Sequence, residues 1–262
     1  MARSLIGGLL NDHYPAAKLC AADPDEGQRQ QLSAALGIAT HANNSDACAD
    51  ADIIVLAVKP QIMASACQAL APVIADSQPL IISIAAGIQT TSLKNWLGDS
   101  QAIVRTMPNT PSLVGSGAAA LFASKTVNDE QRQQAESILR AVGLTLWLKN
   151  EADMDAVTAL SGSGPAYFFL LMELMQKIGE EMGLSREAAR LLTLQTGFGA
   201  TKMALESELD CAELRRRVTS PGGTTEQAIN KLLDGNIDNL IDEALNAARE
   251  RAKELATLLG KS

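Results

Sequence analysis

Segment 219–225 reads TSPGGTT, and its residue types point more clearly to chemistry than any other part of the chain. It leads directly into a helix predicted from Thr224, so free backbone N–H groups and the positive end of the helix dipole would face a ligand there. The paired glycines allow close approach to the backbone, and the hydroxyls of Thr224 and Thr225 add uncharged hydrogen-bond donors. This combination suits a small carboxylate ligand, and a plain interhelical turn with capping threonines is the alternative.

Two further loops carry glycine or proline where an element begins or ends. Segment 161–167 (SGSGPAY) opens a strongly apolar helix, and it fits close helix packing as well as ligand contact. Segment 105–111 (RTMPNTP) overlaps the end of a predicted strand and is stiffened by two prolines. Because open α/β sheets bind ligands at the carboxyl ends of their strands, a ligand is expected near this second loop.

Asp23 stands at the end of a predicted strand and has two interpretations. An acidic side chain at the end of the second strand of a dinucleotide-binding fold accepts hydrogen bonds from the adenosine ribose and disfavours a 2′-phosphate. An Asp-Pro pair is also a common turn former. The residues leave both interpretations open.

Nucleophiles and metal ligands do not occur in recognisable patterns. The sequence holds no G-x-S-x-G elbow and no Walker loop, and neither His13 nor His41 has a neighbouring serine or cysteine that suggests a triad. The four cysteines form no C-x-x-C pair, so no zinc-ligand spacing is present. Hydrolase activity and a metal site are therefore not expected, and the scattered thiols are interpreted as small buried hydrophobic side chains in a reducing compartment.

Charge and hydropathy limit the partners. Among 262 residues, 22 Lys and Arg stand against 30 Asp and Glu, which gives a net charge of −8. This balance argues against nucleic acid or an anionic membrane as the main partner. The longest apolar stretch, residues 79–88, is too short to span a bilayer, and no signal-peptide pattern is present, so we expect a cytoplasmic location.

The elements that position these loops differ between the two halves of the chain. Strand and helix patterns alternate from residue 18 to 148, which predicts an α/β N-terminal domain, residues 1–149, with a doubly wound parallel sheet. Only helical periodicity follows, which predicts an all-α domain of residues 150–262. Helix 165–182 is apolar almost all round, so we expect it to be buried against a second subunit. Strands are predicted at 18–22, 52–58, 80–86, 103–107, 117–122 and 145–148, and helices at 26–36, 61–74, 91–97, 165–182, 185–205, 211–218, 224–233 and 237–259.

Five segments, in order along the chain, resemble the pyrroline-5-carboxylate reductases, which complete proline biosynthesis. They are AVKP at 57–60, SIAAG at 83–87, MPNTP at 107–111, SGSGPAY at 161–167 and VTSPGGTT at 218–225. The resemblance runs from Met1 nearly to the end of the chain. It implies a dinucleotide-binding (Rossmann) N-terminal domain and an all-α dimerisation domain, with subunits paired as homodimers and often assembled into decamers.

The resemblance also implies an activity and a set of site residues. The reaction would transfer a hydride from NADPH or NADH to the imine carbon of 1-pyrroline-5-carboxylate, giving L-proline, with no metal. Thr225 would be the catalytic hydroxyl near the ring nitrogen, and the backbone N–H groups of Gly222, Gly223 and Thr224 would hold the carboxylate. Substrate contacts would come from Glu208, Gly222, Gly223, Thr224 and Thr225. Cofactor contacts would come from Asp23, Asn44, Ala57, Val58, Lys59, Pro60, Ile84, Ala85 and Ala86.

The chain departs from the family pattern in two places. Members of the family begin with a strand and a G-x-G-N-M turn, whereas Met1 aligns with the methionine of that turn. We therefore expect two strand edges without a partner and no glycine cradle for the pyrophosphate. The family mostly prefers NADPH, whereas Asp23 would repel a 2′-phosphate unless nearby groups bind it, so we expect use of either cofactor.

Alternative functions follow from the same features. One is a truncated, non-catalytic chain that dimerises but does not bind a dinucleotide. Another is a related imine reductase with the same two-domain plan. A 2-hydroxy-acid reductase is disfavoured, because it would need a Lys or His acid in the helical domain and the apolar helix offers only Lys177, near its far end.

Overall fold

The computed structural model describes residues 1–260. Strands and helices alternate in the first part of the chain, as the sequence predicts. The elements there are α1 (Ala2–Asn11), β1 (Cys20–Ala22), α2 (Glu26–Leu36), β2 (Ala39–His41), α3 (Asn44–Cys48), β3 (Ile53–Leu56), α4 (Met63–Ile74), β4 (Leu80–Ser83), α5 (Thr90–Leu97), β5 (Ile103–Met107), β6 (Gly117–Ala123), α6 (Asp129–Arg140) and β7 (Gly143–Trp147).

The strands form two separate sheets. Within residues 1–260, five strands lie in the order β3-β4-β5-β6-β7, and β1 pairs in parallel only with β2. In the same described part of the chain, β3 pairs with β4 alone and is therefore an edge strand of the larger sheet. This arrangement agrees with the expectation that strand edges lie without a partner.

The α/β fold class is confirmed, with one difference in strand direction. Strands β3, β4 and β5 are parallel, whereas β6 runs antiparallel to β5 and β7 runs parallel to β6. Only a short connection containing the 3-10 turn Thr110–Val114 joins β5 to β6. Since a parallel neighbour needs a crossover of a dozen or more residues, β6 must return in the opposite direction.

Alternate residues of the strands enter two hydrophobic clusters. Ile54, Leu56 and Ile81 pack with α4 and α5 on one face of the sheet. Leu80 and Ile82 belong to the other cluster, with side chains from α1 and α6. Because successive side chains point to opposite faces, β4 is buried on both sides, which explains its continuous apolar sequence.

Local signals set the bounds of two helices. Asp25 accepts a hydrogen bond from the backbone N–H of Gln28 at 2.9 Å, and α2 ends before Gly37, as predicted. Asn128 and Gln131 form a reciprocal capping box at the start of α6.

The remainder of the described chain is helical. A 3-10 turn, Glu151–Asp153, leads into α7 (Met154–Val157) and a π-helical turn, Thr158–Gly162. The later helices are α8 (Gly164–Glu181), α9 (Arg186–Glu206), α10 (Cys211–Arg217), α11 (Thr224–Asp234) and α12 (Ile237–Leu259). No helix within residues 1–260 has the length and apolar character needed to cross a membrane.

Two compact units can be distinguished by their contacts. One is Met1–Ser163 together with the segment that starts at Ala247, and the other is Gly164–Asn246. The predicted domain boundary between residues 149 and 150 remains a prediction. In the second unit α8 exposes most of its apolar surface, with Phe168 61% and Phe169 65% exposed.

Candidate functional site

The predicted cofactor residues follow the carboxyl ends of strands. Asp23 comes directly after β1, and Asn44 opens α3 after β2. Residues 57–60 follow β3, and residues 84–86 follow β4. Parallel α/β sheets bind ligands outside these strand ends, so each of the four positions is suited to contact a dinucleotide.

The turn after β1 is held by its own side chains. The Asp23 carboxylate accepts a hydrogen bond from the backbone N–H of Asp25 at 2.9 Å, which is the turn-forming role that the sequence left open. The Arg29 guanidinium donates through Nη1 to the backbone oxygens of Asp23 (2.8 Å) and Pro24 (2.9 Å). The sequence interpretation missed Arg29, although its position as the fourth residue of α2, six residues after Asp23, was a usable signal.

The β4–α5 loop (residues 84–89) is fixed at both ends. At its start, the Thr106 hydroxyl donates to the backbone oxygen of Ser83 at 3.1 Å. At its end, the Glu151 carboxylate accepts from the backbone N–H of Thr90 at 2.8 Å and from the Thr90 hydroxyl at 2.6 Å. Arg105, almost fully buried on β5, donates to the same carboxylate at 3.0 Å.

Glu151 therefore caps α5 from a distant part of the chain. The carboxylate satisfies first-turn N–H and hydroxyl donors while it neutralises the buried Arg105. No local sequence signal marks this contact, because the partners lie 61 and 46 residues apart. Gly87 of the same loop packs beneath Leu259, so the end of α12 lies against this loop.

Two loops that the sequence singled out separately contact each other. The Asn109 amide donates to the backbone oxygen of Ser161 at 3.1 Å and accepts from the backbone N–H of Ala118 at 2.9 Å. Gly162 approaches the Met107 side chain so closely that a Cβ would overlap it. The glycine at position 162 thus serves close packing, one of the two interpretations of segment 161–167.

The predicted substrate segment lies at the start of α11, within the second compact unit. Thr224 is the first residue of that helix, and the adjacent Thr225 is half-buried. Glu208 is exposed in the turn between α9 and α10. Gly222 has a left-handed backbone (φ 71°), which a non-glycine residue adopts only with strain.

Two of the three predicted carboxylate-binding N–H groups already have acceptors. The N–H of Gly222 donates to the Glu226 carboxylate at 2.8 Å. The N–H of Gly223 donates to the backbone oxygen of Ser220 at 3.0 Å and closes the turn. The turn therefore binds a carboxylate, but that carboxylate belongs to Glu226, which the sequence interpretation missed.

The cysteines differ in burial. Cys67 is buried and Cys48 is half-buried, whereas Cys20 and Cys211 are exposed, so the prediction of four buried thiols is wrong for two of them. Burial raises the pKa of Cys67 to about 12, and burial together with the neighbouring Cys20 raises the pKa of Cys48 to about 11. Within the described residues, no group of three or more His, Cys, Asp and Glu could hold a metal ion.

Two family models match separate parts of the chain. Residues 151–255 match the pyrroline-5-carboxylate reductase dimerisation family. Residues 1–87 match the coenzyme F420-dependent NADP oxidoreductase family.

Individual proteins are similar over almost the whole chain. The pyrroline-5-carboxylate reductase of Pseudomonas aeruginosa is 54% identical, with 100% of this chain and 95% of the relative covered. A solved pyrroline-5-carboxylate reductase from Coxiella burnetii is 45% identical, with a TM-score of 0.93 over 97% of this chain and 94% of that one. The Plasmodium falciparum pyrroline carboxylate reductase, solved with NADP bound, is 31% identical, with a TM-score of 0.87 over 97% and 93%.

Proposed function

This chain belongs to the pyrroline-5-carboxylate reductase family, and on that premise we propose that it reduces 1-pyrroline-5-carboxylate to L-proline with NADPH or NADH. The observation that carries the proposal is the similarity to reductases across both compact units, at 54% identity for one relative. The carboxyl-end loops after β1, β3 and β4 support the cofactor half of the reaction. The carboxylate-binding turn before α11 supports the substrate half.

The residues of the first unit fit a dinucleotide. Asp23 and Asn44 follow the strands of the smaller sheet, where an adenosine ribose would be bound. The side chains of Ala57, Ala85 and Ala86 are small, so the nicotinamide half of the cofactor would contact the backbone at these positions. The β4–α5 loop is held in place by hydrogen bonds to Thr106 and Glu151. When bound, the cofactor supplies the hydride, and the protein supplies orientation.

At the substrate end, the turn before α11 and the first residues of that helix would bind and orient the substrate. The substrate carboxylate would replace the Glu226 carboxylate at the N–H of Gly222, with Thr224 and Glu208 as further contacts. Thr225 would place its hydroxyl at the ring nitrogen. The nitrogen carries a proton in the iminium form, and that proton stays in the proline product after a hydride adds to the neighbouring carbon. A histidine is therefore not needed to supply or remove a proton in this step.

Self-association is part of the proposal. Helices α8 and α9 expose large apolar side chains, among them Phe168, Leu171 and Phe198. A monomer rarely leaves so large an apolar surface in water. We infer that a second copy covers it in a homodimer, which could assemble further into a decamer, and that the enzyme works in the cytoplasm.

The test is turnover by the purified chain. Oxidation of NADPH and of NADH is followed by absorbance with 1-pyrroline-5-carboxylate as substrate, and proline is measured as product. Thr225→Val removes the hydroxyl at nearly constant volume, and we expect kcat/KM to fall about 10- to 100-fold, as for a hydrogen bond to a charged group. A folded chain without turnover with either cofactor would contradict the proposal.

A second candidate is a dimerising chain that does not bind a dinucleotide. The separation of β1 and β2 from the five-stranded sheet favours it, because the two groups of cofactor residues then lie on different sheets. Titration of the purified chain with NADPH distinguishes the two candidates, since only the reductase requires saturable binding.

A further inference from the structure

Arg29 presents an unused hydrogen-bonding edge at the turn after β1. Its Nη1 donates to the backbone oxygens of Asp23 and Pro24, at 2.8 and 2.9 Å, which fixes the orientation of the half-buried guanidinium. Within residues 1–260, Nε and Nη2 have no hydrogen-bond acceptor. Nε and Nη2 form one side of the planar fork, and such a side binds two oxygens of a phosphate at once.

No carboxylate within residues 1–260 forms an ion pair with this arginine. Three acidic side chains lie close in sequence, and each accepts a hydrogen bond from another group. The pairs are Asp23 with the N–H of Asp25 (2.9 Å), Asp25 with the N–H of Gln28 (2.9 Å) and Glu26 with the amide of Gln30 (3.1 Å). A half-buried cation without a carboxylate partner is prepared to bind an external anion.

Building on the proposed function, we propose that Arg29 binds the 2′-phosphate of NADPH and that it, rather than Asp23, determines how well this cofactor is accepted. The turn after β1 is the position where an adenosine ribose is bound in this type of fold. The Asp23 carboxylate is directed to the backbone of its own turn, so its main role is to shape that turn.

The two cofactors would then use the turn differently. NADH has a 2′-hydroxyl and gains nothing from the free edge of Arg29. NADPH gains a bidentate contact there, which offsets the repulsion between its phosphate and the nearby Asp23 carboxylate. Removal of Arg29 should therefore weaken NADPH binding selectively.

The test measures nucleotide binding without substrate. The full chain, Arg29→Gln and Arg29→Lys are titrated calorimetrically with 2′,5′-ADP and with 5′-AMP, which differ in the 2′-phosphate. We expect Arg29→Gln to weaken 2′,5′-ADP about 10-fold or more, as for loss of a charged hydrogen-bond pair, and to leave 5′-AMP within about 2-fold. Arg29→Lys should lose less, because it keeps the charge.

Two control variants separate this role from general effects. Lys125→Gln removes a positive charge from an exposed turn of the same unit and should change neither affinity. Asp23→Asn keeps a side-chain oxygen that accepts from the backbone N–H of Asp25. This variant should change the 2′,5′-ADP affinity less than Arg29→Gln does. Thermal unfolding of each variant reports whether the turn has collapsed.

Three outcomes would overturn the assignment. They are equal loss of both nucleotides in Arg29→Gln, unchanged 2′,5′-ADP binding in that variant, and no 2′,5′-ADP binding by the unaltered chain. The proposed reductase activity is judged separately, by proline formation. A chain that binds 2′,5′-ADP through Arg29 without making proline would keep this assignment and contradict the activity.

Discussion

The N–H of Gly222 binds a carboxylate that belongs to the same turn. Glu226 thereby occupies a position proposed for the substrate carboxylate, and the two must compete for one donor. A bound carboxylate also demonstrates that the left-handed turn at Gly222 accepts an anion.

Replacement of Glu226 by glutamine should lower the KM for 1-pyrroline-5-carboxylate, by about 2- to 10-fold, because an amide is a weaker acceptor than a carboxylate. Steady-state kinetics at saturating NADPH measure the change. Glu187→Gln is the matched control, since Glu187 occupies the first turn of α9 and its removal tests the effect of lost charge at a helix start. An unchanged or higher KM in Glu226→Gln would argue against competition.

Cys67 should make stability depend on alkaline pH. Burial raises its pKa from 9.0 to about 12 in the folded chain, so the folded state holds the thiol proton more tightly than the unfolded state. The associated stability is complete below pH 9.0 and is lost as the pH rises towards 12. Urea unfolding between these limits should show a steeper decline for the unaltered chain than for Cys67→Ala. Parallel declines would contradict this.

Among the elements, α5 depends on a residue far from it in sequence. Glu151 caps the start of α5 and pairs with Arg105, whose side chain is 5% exposed against 20% for Glu151. Loss of the carboxylate leaves a buried guanidinium and first-turn donors without an acceptor.

We expect Glu151→Ala to lower the free energy of unfolding by about 3 kcal/mol, the lower end for a broken buried ion pair, because Glu151 keeps some contact with water. Urea unfolding followed by circular dichroism measures it. Glu250→Ala removes an exposed carboxylate that pairs with Lys253, and it should have no measurable effect. Similar losses in both variants would mean that the buried pair has no special role.

Elements with strong local signals could be predicted from the sequence, and those that depend on distant contacts could not. Helix α2 is bounded by its N-cap residue, Asp25, and by Gly37 after its last residue, so the sequence alone predicts both of its bounds. The three-residue strand β2 and the five-residue helix α3 are too short to carry a periodic pattern, so the sequence alone does not predict them. The Glu151 clamp and the contact between Asn109 and Ser161 join residues 46 to 61 positions apart, which no local pattern encodes.

The residues of the candidate site also differ in whether a local sequence pattern reveals them. The glycines and threonines at 222–225 could be found because a turn that precedes a helix is a local pattern. Arg29 and Glu226 act through hydrogen bonds to particular backbone atoms, and only coordinates reveal which atoms they reach.

For the whole molecule, the exposed apolar face of α8 and α9 predicts dependence on a second copy. Phe169→Glu places a charge on this face and should shift the protein towards monomer in analytical ultracentrifugation. Val114→Glu is the control, because Val114 is more exposed still but lies on the turn Thr110–Val114 of the other unit. A dimer that tolerates Phe169→Glu would exclude this face as the main interface.

The separate pairing of β1 with β2 has a consequence for local opening. Two three-residue strands that lack buried side chains share few hydrogen bonds, so they should open at a lower free energy than β4 and β5. Amide hydrogen exchange should therefore be fast at residues 20–22 and 39–41 and slow along β4 and β5. Binding of 2′,5′-ADP should slow exchange at the small sheet, because part of its binding energy is spent on closing those strands; equal exchange with and without the nucleotide would contradict this. The proposed adenosine end of the site would then be a region that its ligand helps to fold.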